Sequence, residues 1–307
     1  VRVGAVDLGT NSTRLLVADV ADGRVEEVRR ELRITRLGEG VDERRQLLPT
    51  AVARVRNVLA DYRRIAAELG TDRVLAVATS AVRDAENGEA FLGEVAWSYG
   101  FATRLLDGDE EALLTHRGVT AGRPLTGRTL IVDVGGGSTE LLVGSAEGVE
   151  LHTSLQLNCV RLTERFGDDV ERAAAHVRAQ LPELGPLDEA IGVAGTVTTL
   201  ATLDLGLAEY DPERIHGHRV PLAAVERWLE RLAALSLEER RRVPGLEPER
   251  APVIVAGIVI VREVMRTFGL AELEASERDI LHGAALAAAE LPEPVEGDAP
   301  PGAYTCC

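Results

Sequence analysis

One eleven-residue stretch occurs twice in this chain. Asp7-Leu-Gly-Thr-Asn-Ser-Thr-Arg-Leu-Leu-Val17 aligns without gaps on Asp133-Val-Gly-Gly-Gly-Ser-Thr-Glu-Leu-Leu-Val143, with seven of the eleven positions identical at an offset of 126 residues. Apolar runs flank each copy: Val3–Val6 and Leu15–Val20 in the first, Thr129–Asp133 and Glu140–Gly144 in the second. Both copies read as strand, tight turn, strand. Repeats at short periods signal solenoids, whereas two copies this far apart signal a duplicated domain. The 307 residues leave room for about two domains.

The rest of the chain alternates strand and helix patterns. Pro49–Leu69 predicts a helix, with Val52, Val55, Val58, Tyr62, Ile65, Ala66 and Leu69 at three- and four-residue steps and Gly70 to stop it. Strands are predicted over Arg24–Thr35, Arg73–Thr79, Ala102–Leu106, Leu151–Leu157 and Ala190–Ala194. Helices are predicted over Asp84–Tyr99, Asp109–Thr120, Val160–Phe166, Val170–Leu181, Gly195–Leu203, Leu222–Leu235, Arg250–Phe268 and Asp279–Glu290. Gly122–Gly127 is the best linker candidate. The stretch from 292 to 307 carries four of the 13 prolines and reads as a flexible tail.

The repeated turn carries a specific chemistry. A strand delivers a carboxylate, Asp7 or Asp133, at its end. Small residues then bend the chain so that backbone N–H groups point into one concavity, a nest that suits phosphate oxygens. Gly135, Gly136 and Gly137 allow close approach because they lack a Cβ. Asn11, Ser12, Thr13, Ser138 and Thr139 add polar donors. The aspartates repel phosphate and fit instead as ligands of Mg²⁺ or Mn²⁺, direct or through water. A further loop, Gly192-Val-Ala-Gly195-Thr196, follows a strand and opens a helix whose N-terminus attracts anions. No GxxxxGK[ST] motif is present, so the pattern is not that of a Walker ATPase.

Composition narrows the partners. The net charge is −16, which argues against general nucleic-acid or membrane-surface binding. The longest apolar stretch, Ala251–Val261, is short of the roughly 18 residues a membrane span needs. The cysteines, Cys159, Cys306 and Cys307, form no CxxC pair, and no secretory signal is visible; both suit a cytoplasmic protein. Cys159 reads as a buried small hydrophobe. The pair His216 and His218 reads as structural or as cleft lining. Arg240-Arg241-Arg242 reads as a solvated helix face.

Six segments together resemble the exopolyphosphatase/guanosine pentaphosphate phosphatase family of the actin-like superfamily, and most closely its short actinobacterial members. They are Asp7-Leu-Gly-Thr-Asn-Ser, Ala78-Thr-Ser-Ala-Val-Arg83, Gly108-Asp-Glu-Glu-Ala112, Ile131-Val-Asp-Val-Gly-Gly-Gly-Ser-Thr-Glu140, Asn158-Cys-Val-Arg-Leu-Thr163 and Val193-Ala-Gly-Thr196. The resemblance runs from Val3 to about Leu291. One departure is Pro252, where relatives often carry Asp.

The resemblance implies an α/β fold of two duplicated actin-like (ribonuclease H-like) domains, each a mixed five-stranded sheet flanked by helices, with an interdomain cleft. The domains would be 1–122 with a returning C-terminal helix 278–291, and 123–277. Glu111 falls on the family's catalytic glutamate, which acts as general base on the attacking water. Arg83 falls on its phosphate-binding arginine, Glu140 on a metal-site carboxylate, and Asp7 and Asp133 on the hairpin aspartates; the implied metal ligands are Asp133 and Glu140, with Asp7 as a third candidate. The implied reaction is metal-dependent hydrolysis of the terminal phosphoanhydride of inorganic polyphosphate. Without the C-terminal extension of longer relatives, short chains are the expected preference. Guanosine pentaphosphate is the alternative substrate, a non-catalytic polyphosphate- or nucleotide-sensing module the alternative function, and a homodimer the implied assembly. A kinase-like transferase finds no recognisable acceptor site.

Overall fold

The computed structural model describes residues 1–135 and 137–292. Gly136 and the expected flexible tail from residue 293, with Cys306 and Cys307, lie outside the described residues. The elements run β1 (Arg2–Leu8), β2 (Ser12–Ala21), β3 (Arg24–Ile34), α1 (Val41–Arg44), α2 (Pro49–Glu68), β4 (Arg73–Ala78), α3 (Ser80–Arg83), α4 (Gly88–Tyr99), β5 (Ala102–Leu105) and α5 (Gly108–Val119). They continue with β6 (Thr129–Val134), β7 (Thr139–Ser145), β8 (Gly148–Leu155), α6 (Cys159–Phe166), α7 (Val170–Arg178), β9 (Glu189–Val193), α8 (Ala194–Asp204) and α9 (Pro212–Ile215). The last are β10 (Arg219–Pro221), α10 (Leu222–Ala233), α11 (Leu237–Arg240), α12 (Ile254–Thr267), β11 (Glu272–Ala275) and α13 (Ile280–Ala289). Two compact units result: Val1–Arg123 with the chain from Ile280 onward, and Pro124–Asp279.

The first unit holds a sheet of order β3-β2-β1-β4-β5, the second a sheet of order β10-β11-β9-β6-β7-β8. Leaving β10 aside, the second order is the first one repeated. The strand senses repeat too. β1 is antiparallel to β2 and parallel to β4, and β6 is antiparallel to β7 and parallel to β9. This is the duplicated actin-like arrangement, with one correction to the expected pair of five-stranded sheets. The second sheet has a sixth strand, β10, which pairs antiparallel with β11. Its three residues are too few to show an alternation in sequence.

Period-two alternation sorts the first sheet's side chains between two cores. Val6, Leu8, Leu15 and Val17 pack with Val52, Val55, Leu59 and Tyr62 of α2 and with Phe91 and Val95 of α4. Val3, Ala5, Leu16 and Ala18 pack with Leu114 of α5 and with Leu281, Ala284, Ala285 and Ala288 of α13. By the same alternation Asp7 and Arg14 fall on the face that α5 and α13 cover. Arg73 on β4 ties down the end of α13, donating to the carbonyl of Ala289 at 2.9 Å and to that of Leu291. The second unit has one large core around α12, where Ile258 and Val261 pack with Leu130, Val132, Leu141, Val143 and Leu200. Among the described residues no helix is long and apolar enough to cross a membrane.

Arg240 departs from the solvated face expected of its run. Only 2% of it is exposed. Its Nε donates to the carbonyl of Leu232 at 2.6 Å, and Nη1 and Nη2 grip Asp168 at 3.0 and 2.6 Å. This fork fixes α11 to the α6–α7 connection, so Arg240→Ala should cost about 1–3 kcal/mol, the range for losing charged hydrogen bonds. Arg241→Ala, on an exposed neighbour, should stay within about 0.5 kcal/mol, and urea titration of the two variants reads the difference.

Candidate active site

Both repeated turns are built alike. In the first, the Gly9 N–H donates to the carbonyl of Ser12 at 3.0 Å; in the second, Gly135 N–H donates to that of Ser138 at 3.0 Å. The turn carbonyls are directed into the protein. The carbonyl of Asn11 accepts from the N–H groups of Thr35 and Arg36, and that of Thr10 from Gly38. The corresponding carbonyl of Gly137 accepts from the side chain of Asn158 at 2.8 Å. The N–H groups of Thr10, Asn11 and Gly137 meet no partner among the described residues, which is the polarity an anion nest requires.

The hydroxyls divide differently from their reading as ligand donors. Thr13 and Thr139 are fully buried. Thr13 shares a hydrogen bond with Thr35 at 2.9 Å, and Thr139 donates to the carbonyl of Leu157 at 2.7 Å. Their hydroxyls brace the hairpins. Tyr62 adds to this from α2, its hydroxyl donating to the Thr13 carbonyl at 2.9 Å. Burial raises the phenol well above its usual range. The Ser138 hydroxyl turns to Glu140. Ser12 remains at the half-exposed start of β2.

The two hairpins differ in charge. Asp7 stands opposite Arg14 across the β1–β2 pair, and Asp133 stands opposite Glu140 across β6–β7. In the first, Nε and Nη2 of Arg14 both donate to Asp7 Oδ2, at 2.9 and 2.7 Å. In the second, the two facing groups are carboxylates, and Glu140 accepts from Ser138 and, at 3.1 Å, from Ser154. Asp133 and Glu140 therefore form a paired hard-oxygen donor set, whereas Asp7 is occupied by a guanidinium. Among the described residues no group of three or more His, Cys, Asp or Glu side chains is gathered to hold a metal ion.

Arg83 and Glu111 meet in the first unit. β4 leads through Thr79 into the one-turn helix α3, which ends on Arg83. Asp107 starts α5 with a capping box, accepting from the Glu110 N–H at 2.9 Å while the Glu110 carboxylate takes its own N–H at 3.1 Å. Glu111 sits one position further along the same turn. Nη1 of Arg83 reaches the carbonyl of Leu106 at 2.7 Å and Oε2 of Glu111 at 3.4 Å. Nε and Nη2 of Arg83 have no partner among the described residues, so one end of the fork is anchored and the other is open. The first turn joins this assembly, because Thr10 and Ser80 share a hydrogen bond at 3.0 Å.

The third loop places Gly195 at the start of α8, after Ala194 in the left-handed region at φ 66°. A non-glycine residue there is strained, a feature that clusters at functional sites. Thr196 is buried, and a Cβ on Gly257 would lie 2.7 Å from its hydroxyl, so α12 crosses α8 closely. Sequence reasoning misses Arg250. A Cβ on Gly195 would fall 1.7 Å from its Nη1, so the guanidinium lies against the backbone of this loop. A long stretch of chain separates the two, and no local pattern announces the contact.

The histidine pair is structural. His218 meets Asp204 at 2.9 Å, and His216 Nδ1 accepts from the Glu277 N–H at 3.3 Å. Cys159 is buried, its thiol directed at the carbonyl of Gly135 at 3.8 Å. Burial pushes this thiol upward against a smaller opposing pull from Arg250. Little thiolate exists at neutral pH, so iodoacetamide at about pH 7 should spare Cys159 in the native protein and label it after denaturation. Peptide mapping reads the difference; rapid native labelling would contradict it.

The chain matches the Ppx/GppA phosphatase family over residues 16–290. It is 40% identical to "Exopolyphosphatase 2" of Mycobacterium tuberculosis, across 94% of this chain and 98% of that protein. It is 30% identical to the "Guanosine-5'-triphosphate,3'-diphosphate pyrophosphatase" of Vibrio atlanticus, across 84% of this chain and 53% of that protein. Among solved structures, the Aquifex aeolicus Ppx/GppA family member superposes with a TM-score of 0.82 at 31% identity, covering 94% of this chain and 97% of the other. An exopolyphosphatase-like protein gives 0.83 at 32% identity, covering 93% and 98%.

Proposed function

Because the chain belongs to the Ppx/GppA phosphatase family and is a phosphoanhydride hydrolase, we propose that it is a cytoplasmic, metal-dependent exopolyphosphatase that removes the terminal phosphate of inorganic polyphosphate and prefers short chains. The observation that carries the reading is the meeting of Arg83 and Glu111, a half-anchored guanidinium 3.4 Å from a carboxylate. In this mechanism Glu111 orients the attacking water and takes its proton. The open end of Arg83 holds the reacting phosphate, a planar fork on a tetrahedral anion. The turn amides of Thr10 and Asn11, with Ser12, grip the neighbouring phosphate in the same unit; the turn at Gly137 and the loop at Gly195 and Thr196 are the phosphate-binding candidates of the second unit. Little covalent chemistry is asked of the protein, since phosphoryl transfer is mainly positioning and charge stabilisation.

Asp133 and Glu140 fit a divalent ion. Two adjacent carboxylates, completed by water and substrate oxygens, suit Mg²⁺ or Mn²⁺. Such an ion supplies charge neutralisation for the phosphate chain. Asp7, in the first unit, is the poorer metal-ligand candidate, because Arg14 already occupies its Oδ2. The chain acts as a homodimer in this reading, with no nucleic-acid or membrane partner.

A second reading has specific support. The Vibrio atlanticus relative bears a name built on guanosine pentaphosphate, and that molecule also ends in a phosphoanhydride. Orthophosphate release from tripolyphosphate, long-chain polyphosphate, guanosine pentaphosphate and ATP, each with Mg²⁺, with Mn²⁺ and with chelator, separates the two. Polyphosphate turnover that chelator abolishes supports the first reading. Faster turnover of guanosine pentaphosphate supports the second. Tight binding of either without release would move the protein to a sensing role.

A further inference from the structure

The carboxylate pair of the second unit has a third neighbour that the repeat does not announce. Ser154, on β8, stands opposite Glu140 across the β7–β8 pair, as Glu140 stands opposite Asp133 across β6–β7. Directly opposed residues share a face of the sheet, with Cβ atoms about 5 Å apart. Asp133, Glu140 and Ser154 therefore form a row across three strands that ends at the edge of the sheet. The Ser154 hydroxyl donates to Glu140 Oε1 at 3.1 Å, and the Ser138 hydroxyl donates to the same oxygen.

Two donors on one oxygen orient the whole carboxylate. Each carboxylate oxygen offers about two lone-pair sites, and hydroxyls take both sites of Oε1. The side chain does not fix this orientation by itself, because the last torsion of a glutamate is broad and roughly two-fold. The two serines are not equivalent. Ser138 belongs to the glycine turn, where a bound phosphate would compete for its hydroxyl. Ser154 lies on the edge strand, and among the described residues Glu140 is the hydrogen-bond partner of its hydroxyl. Its backbone is fixed by its neighbours. The ladder pairs Leu141 with Thr153 and Thr139 with Leu155, and just beyond the strand the Leu157 carbonyl accepts from the Thr139 hydroxyl at 2.7 Å. Ser154 is itself exposed, so water would satisfy its hydroxyl as well as Glu140 does. The bond therefore adds little to folding, and its effect falls on the carboxylate.

We propose that Ser154 is a positioning residue for the divalent ion: it holds Glu140 by Oε1 so that Oε2 is presented, as a one-oxygen ligand, to a Mg²⁺ or Mn²⁺ shared with Asp133. This deepens the metal reading of Asp133 and Glu140 and rests on it. Partners that orient a metal ligand commonly contribute about 10–100-fold to metal affinity.

Mn²⁺ binding to the substrate-free protein, followed by electron paramagnetic resonance, tests this apart from turnover. Ser154→Ala should weaken Mn²⁺ binding about tenfold, and Ser154→Thr, which keeps the hydroxyl, should bind nearly as the wild type does. The thermal midpoint of Ser154→Ala should stay with that of the wild type, as for an exposed position. In phosphate release, the Mn²⁺ concentration giving half the maximal rate should rise by the same factor. Glu140→Gln is the reference for the metal reading and should lose more affinity than Ser154→Ala. Weakened binding in Glu140→Gln with unchanged binding in Ser154→Ala overturns the positioning role and leaves the metal reading standing. A loss that threonine does not restore, with a lowered midpoint, marks a structural role and overturns it too. Wild-type binding in Glu140→Gln, or no Mn²⁺ binding by the wild type, removes the metal reading and the proposal with it.

Discussion

Glu111→Gln should lower kcat for polyphosphate hydrolysis by about 10²–10⁴-fold, the usual contribution of a positioned general base. Glutamine keeps the size and the hydrogen-bonding oxygen that Arg83 reaches at 3.4 Å, but it cannot accept the water's proton. The capping box uses Asp107 and Glu110 and leaves Glu111 out, so α5 keeps its start and the fold its stability. KM should change little, because the proposed mechanism assigns the phosphate grip to Arg83 and the first turn, not to Glu111. Steady-state phosphate release checks both parameters. A variant with near wild-type kcat would remove Glu111 from the mechanism.

Gly283→Ala should destabilise the first unit by about 3 kcal/mol, at the upper end of overpacking costs. A Cβ at this position would lie 1.9 Å from the carbonyl oxygen of Leu114. That oxygen is backbone in the middle of α5, so no side chain can swing aside. Either α13 lifts from α5 or α5 shifts, and α5 carries Glu111 near its start. The thermal midpoint should fall by about 10 °C, with activity lost before unfolding. Gly93→Ala is the control, because an added Cβ there meets nothing within 4 Å and alanine favours the helix. An unchanged midpoint for Gly283→Ala would mean that the two helices do not pack as described.

The internal repeat makes the duplicated sheets legible. A strand–turn–strand unit with identical ends imposes the same pairing twice, and β1–β2 and β6–β7 carry it. The cross-strand partners follow from turn length, so Asp7 opposite Arg14 and Asp133 opposite Glu140 are readable in principle. That Arg14 turns onto Asp7 is not. β10 and β11 are hidden for a different reason. They have three and four residues, with Glu272 and Glu274 alternating in β11, and only pairing with a neighbour makes them strands. A run of three arginines looks solvated, yet tertiary packing buries its first member, Arg240, against Asp168. Arg250 at Gly195, and Tyr62 behind the first hairpin, are contacts between distant segments that no period encodes.

The most direct test of exopolyphosphatase action is the product distribution from polyphosphate of one defined length, sampled early in the reaction. Removal of terminal phosphates predicts orthophosphate from the first time point, with the remaining chains shortened from their full length. Internal fragments appearing before orthophosphate, or no orthophosphate from any chain length, would contradict it.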